Sequence, residues 1–169
     1  RPPRSTQSRS SAASDVYKRQ LLVYLGVNCQ RDPLNKIEVR KALRYAIDIR
    51  SIVEILLANR AIPAVDIWLP EAEHYPTFAP IEGRELLREA GFKEGLPRPL
   101  SLWIPKGLET GKMIAERLSV NLADIGVEVE IITSQDPSTL SPRDPEEYDL
   151  ILSVSEIDSL DSLFYPSFH

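Results

Sequence analysis

The sequence predicts an α/β fold, and three observations carry that prediction. Residues 35–57 have the periodicity of helix with one apolar face. Residues 100–131 read as strand, helix, strand. Two further buried strands, 21–28 and 148–154, bracket these segments. Strands and helices alternating at this spacing favour a sheet covered by helices.

The first stretch, 1–20, is set aside. It is rich in Arg and Ser and nearly free of apolar side chains. Such a segment cannot bury enough surface to offset its chain entropy, so disorder is expected. It mimics an organelle transit peptide but lacks the amphipathic face one needs. Its run SAASDVYKRQ resembles a leader that recurs before unrelated reading frames from assembled environmental DNA, and we read it as non-native. The folded part is taken as 21–169.

Residues 21–28, LLVYLGVN, are rich in β-formers and read as a buried strand, broken at Asp32-Pro33. In 35–57, NKIEVRKALRYAIDIRSIVEILL, Asn35 reads as a helix cap and Glu38 completes a capping box. Val39, Leu43, Ala46 and Ile47 form one apolar face, with Arg40, Lys41 and Arg44 on the other sides; Arg40 and Arg44 read as solvated or packing partners and not ligand contacts. Asp48 reads as a second cap, and Ile52, Ile55 and Leu56 open a second apolar stripe. The segment is thus two short helices, or one helix bent at Asp48.

Pro63, Pro70, Pro76 and Pro80 make 59–81 a long surface connection, with a short turn at 71–74 and Trp68 and Tyr75 pinning it to the core. Residues 82–90 read as a helix stopped by Gly91, with Phe92 folding back onto Leu87. Leu100, Leu102 and Ile104 alternate with Ser101 and Trp103, a strand. Residues 109–125 place Ile114, Leu118, Leu122 and Ile125 on one helix face, closed by Gly126. Val127, Val129 and Ile131 alternate with Glu128 and Glu130, a second strand. This βαβ unit predicts parallel strands and a right-handed crossover. A polar, Pro-rich loop over 134–147 leads to the last strand, 148–154.

Composition excludes several function classes. At 169 residues, 43% hydrophobic and 27% charged, the chain is an ordinary globular one, long enough for a single core. The net charge of −5 divides into +4 over 1–20 and −9 over the rest. That acidic balance argues against nucleic acid, whose phosphates need clustered Lys and Arg. No apolar run approaches the roughly 18 residues of a membrane span. Cys29, the single cysteine, permits no internal disulfide and reads as a small buried hydrophobe. The first residue is not Met and the ending FYPSFH lacks a cap, so a fragment is expected.

No catalytic constellation is found, and no enzyme is expected. The glycines are scattered singly, no G-x-S-x-G elbow occurs, and two histidines leave little room for a triad. His74 with Glu71 and Glu73 lies on a loop with no second His nearby, which reads as a solvated turn and not a metal site. No cofactor or metal is expected. Asp158 and Asp161 follow the last strand three residues apart. They fit an acid–base pair, although nothing nearby would split their pKa values. They equally fit turn capping, or recognition of a cationic ligand group at a strand's C-terminal end, where open α/β sheets bind ligands.

Several stretches carry a resemblance. Tyr24-Leu25-Gly26-Val27-Asn28, then Pro33, then Val39-Arg40-Lys41-Ala42-Leu43-Arg44-Tyr45-Ala46-Ile47-Asp48, resemble family 5 of the bacterial extracellular solute-binding proteins, the dipeptide- and oligopeptide-binding proteins of ATP-driven importers. The likeness continues through Leu86-Leu87-Arg88-Glu89-Ala90-Gly91-Phe92, through 116–132, and through Tyr148-Asp149-Leu150 to the end of the chain. It covers essentially all of 21–169. The helix motif is specific; the others are individually weak but stand in the right order.

The resemblance implies a partial C-terminal lobe of a two-lobed type II periplasmic binding protein, with a mixed sheet and flanking helices. It implies capture of peptides, or similar small solutes, for the membrane permease of an ABC importer. The expected protein is a monomer outside the cytoplasm, periplasmic or extracellular, with or without a lipid anchor. The alternatives are the ligand-sensing domain of a transcription regulator, or a member that takes nickel complexes, opines or sugars. The family pattern after the Tyr-Asp-Leu strand is Gly-Trp, two residues, Asp, two residues, Asp-Pro. Val154 stands at the Gly, Ser155 at the Trp, Asp158 at the first Asp, Asp161 at the second and Ser162 at the Pro. The first Asp of that pattern pairs with a peptide's α-ammonium, which makes Asp158 the leading ligand residue. In a closed cleft such a contact is worth on the order of 1.5–3 kcal/mol. Ser155 in place of Trp removes a stacking wall, and Glu156 adds negative charge that favours cationic ligands.

Overall fold

The computed structural model describes residues 20–61, 63, 77–134 and 148–157. In chain order these form β1 (Gln20–Val27), α1 (Ile37–Ala46), α2 (Ile49–Ser51) running into a π-helical turn (Ile52–Leu56), α3 (Pro80–Glu89), β2 (Leu100–Pro105), α4 (Glu109–Ala123), β3 (Val129–Ser134) and β4 (Leu150–Ile157). The chain divides into two units. One is Val23–Val154; of the second, 20–22 and 155–157 are described.

The four strands form one sheet in the order β1-β4-β2-β3. β2 pairs in parallel with β3, Leu102 beside Ile131, and with β4, Leu102 beside Leu150. β1 runs the other way: Gly26 lies against Ile151 while Asn28 bonds the carbonyl of Asp149. The sheet is therefore mixed. The expected βαβ unit is present, with α4 crossing between β2 and β3.

One sheet face makes the core. Leu100, Leu102, Ile104, Leu150 and Leu152 are buried on it. Against them pack Val39, Ala42, Leu43 and Ala46 of α1, Leu87 of α3, and Ile114, Ala115, Leu118 and Leu122 of α4. Full burial of each large side chain contributes roughly 1.5–3 kcal/mol, so this interface dominates the stability of the unit.

The helices explain themselves locally, with some departures from expectation. Lys36, not Asn35, is the N-terminal cap of α1, and it makes no side-chain cap bond. Arg40 Nη1 donates to the carbonyls of Leu34 and Asn35 at 2.8 and 2.9 Å, which ties α1 to the turn before it. Arg40 is thus a packing partner, as expected. The break falls at Ile47, whose backbone is extended, and Asp48 caps α2 by accepting from Ser51 N. Two helices form, not one bent helix.

The second apolar stripe is corrected. Ile52 and Val53 are buried, but Ile55 is 78% exposed. The wide turn, closed by Leu57 N donating to Ile52 O, rotates less per residue than an α-helix, so the side chain three positions on does not return to the same face. Cys29 is also corrected: it is exposed. Asn28 takes the buried position at the end of β1, and Cys29 falls in the turn beyond it.

α3 starts two residues earlier than expected, with Pro80 at its first turn, where a missing N–H costs nothing. It stops as expected: Gly91 is left-handed at φ +98, Gly91 N donates to Arg88 O, and Phe92 N donates to Leu87 O. The same pair of bonds closes α4 around Gly126, with Val127 N donating to Leu122 O. Trp68, Tyr75, the turn at 71–74, His74 and the loop over 135–147 lie outside the described residues.

Candidate functional site

The candidate ligand residues follow Val154. The structure extends β4 to Ile157, so Ser155 and Glu156 lie within a strand and not in the loop that the sequence suggested. The reason is a partner of matching length: β1 and β4 are both eight residues, adjacent in the sheet and antiparallel. Asp158 and Asp161 lie outside the described residues.

The described polar cluster sits at the other end of β4. Asp149, with no exposed surface, precedes the strand. Arg98 forks onto it, Nη1 to Oδ2 at 2.7 Å and Nη2 to Oδ1 at 2.8 Å. Ser101 N donates to Oδ2 at 2.9 Å, and Arg31 Nε stands 3.5 Å from Oδ1. Asp149 N in turn donates to Ser101 Oγ at 2.9 Å. Arg98 Nη2 also donates to Asp32 O, which draws the turn after β1 into the cluster. Burial pushes the Asp149 carboxyl up. The hydrogen bonds of Arg98 and Ser101, with the charges of Arg98 and Arg31, outweigh that and hold it below the usual carboxylate range. The same pairing raises the Arg98 guanidinium.

Chemically this cluster is saturated. Both carboxylate oxygens accept, both Arg98 terminal nitrogens donate, and neither is left to meet a ligand. It also lies at the N-terminal edge of the parallel strands, opposite the edge where open α/β sheets bind ligands. Tyr148-Asp149-Leu150 carries part of the family resemblance, and no local pattern assigns Asp149 a role. The available signal was an Asp placed directly before a buried strand, since a buried carboxylate must be paired.

Asn28 completes this end. It donates from Nδ2 to Tyr148 O at 2.9 Å and accepts at Oδ1 from Gln30 N at 3.1 Å. Among the described residues no group of three or more His, Cys, Asp or Glu could hold a metal ion.

Known proteins resolve what this scaffold is. The sequence pattern of the bacterial extracellular solute-binding proteins, family 5 (middle region), matches residues 2–168. The chain belongs to this family. Family 5 proteins are periplasmic or extracellular. The curated relatives include the glutathione-binding protein GsiB of Salmonella typhimurium, 30% identical over 113 residues, a match covering 64% of this chain and 22% of the relative. GsiB of Escherichia coli K12 is 27% identical over the same length. Among solved structures, the dipeptide-binding protein of Pseudoalteromonas sp. SM9913 in complex with Met-Leu superposes with TM-score 0.74 at 27% identity, over 88% of this chain and 32% of that one. NikZ of Campylobacter jejuni, in complex with Ni(L-His), superposes with TM-score 0.70 at 21% identity, over 92% and 35%. This chain therefore spans about a fifth of the length of the curated relatives and a third of the solved ones. The α/β unit fits a partial lobe of the two-lobed family 5 fold. Its relatives are binding proteins, and no described helix is long and apolar enough to cross a membrane.

Proposed function

We propose that this chain is the ligand-capturing part of a family 5 solute-binding protein that takes short peptides for uptake through the membrane permease of an ABC importer. The protein acts as a monomer outside the cytoplasm, with or without a lipid anchor, and catalyses no reaction. The observation that carries this reading is the family match across 2–168, joined to a glutathione-binding relative at 30% identity and a Met-Leu-binding one at 27%. Glutathione and Met-Leu are both small peptides, each with an α-ammonium and at least one carboxylate. Asp158 is the partner proposed for the ammonium, with Ser155, Glu156 and Asp161 beside it. The negative charge of Glu156 and Asp161 favours cationic groups, and Ser155 leaves room where the family has Trp. The nickel-binding neighbours share the fold at lower identity, and no observation here favours a metal complex over a peptide.

Native mass spectrometry of the 169-residue chain tests the reading. With glutathione, Met-Leu and the nickel–histidine complex offered together, one peptide should be retained per chain. Retention of the nickel complex alone, or of none of the three, would count against peptide capture.

A further inference from the structure

We draw no further inference here: the strongest candidate, the sheet face opposite the helices, where Trp103 of β2 stands in register between Ile132 of β3 and Ile151 of β4 with its indole nitrogen buried and without a hydrogen-bond partner among the described residues, carries nothing because nothing in the structure shows what covers it.

Discussion

Arg98→Ala is the sharpest probe of what holds the sheet's edge together. It deletes both arms of the fork on Asp149, and also the bond to Asp32 O. Removing one partner of a buried ion pair costs about 3–5 kcal/mol, because the other charge is left in low dielectric. Two features reduce that here. The Arg98 side chain is 38% exposed, so solvent already screens the pair, and Asp149 keeps Ser101 N and the Arg31 guanidinium. We expect a loss of about 2–3 kcal/mol, which for a chain of this size lowers Tm by roughly 5–10 °C. The pH dependence is diagnostic. Asp149 is held below its ordinary value in the fold, so its stabilisation is complete above the unfolded pKa, about 3.9, and fades as pH falls through the folded one. The gap between Arg98→Ala and the unmutated chain should be full at neutral pH and shrink below about pH 4. Denaturant unfolding at a series of pH values measures it. A gap under about 1 kcal/mol, or one that does not change with acid, would refute the reasoning.

Further substitutions test other parts of the fold by the same assay. Gly95 has φ +99 and a Cβ there would overlap the carbonyl of Gly126, so Gly95→Ala should cost at least about 2 kcal/mol from strain and displacement together. Asp48→Ala removes the cap that accepts from Ser51 N at 3.1 Å and Ser51 Oγ at 2.5 Å, with an expected loss of about 1 kcal/mol. Ile52→Ala should cost about 2–4 kcal/mol as a cavity mutation, while Ile55→Ala should change stability by less than about 0.5 kcal/mol. Equal effects at the two positions would contradict the π-helical phase.

What was legible in the sequence had a local cause. Alternation at 100–104 marked β2, which buries Leu100, Leu102 and Ile104 on one face; the strand expected over 127–131 forms two residues later, as Val129–Ser134, with Val129 and Ile131 half-buried. Gly91 gave a helix stop because only a left-handed residue closes that turn. The misses share a different origin. Asn35 fits a capping pattern, yet α1 starts one residue later, with Lys36 at the cap position and no side-chain cap bond. Ile55 matches a helical period, but the period itself changes at Ile52. Cys29 matches a buried hydrophobe in composition, but the strand had already ended. Asp149 needed a partner, but Arg98 is 51 residues away and Ser101 48, distances no local pattern spans. The ends of Ser155 and Glu156 in a strand followed from β1, a long-range pairing of the same kind.

Peptide capture through Asp158 is tested most directly by calorimetric titration of glutathione and Met-Leu into the unmutated chain and into Asp158→Asn. The unmutated chain should bind at least one of them saturably, and the variant should bind it about 10- to 150-fold more weakly, the equivalent of losing 1.5–3 kcal/mol. Saturable binding with the same affinity in both proteins, or none to either peptide, would contradict it.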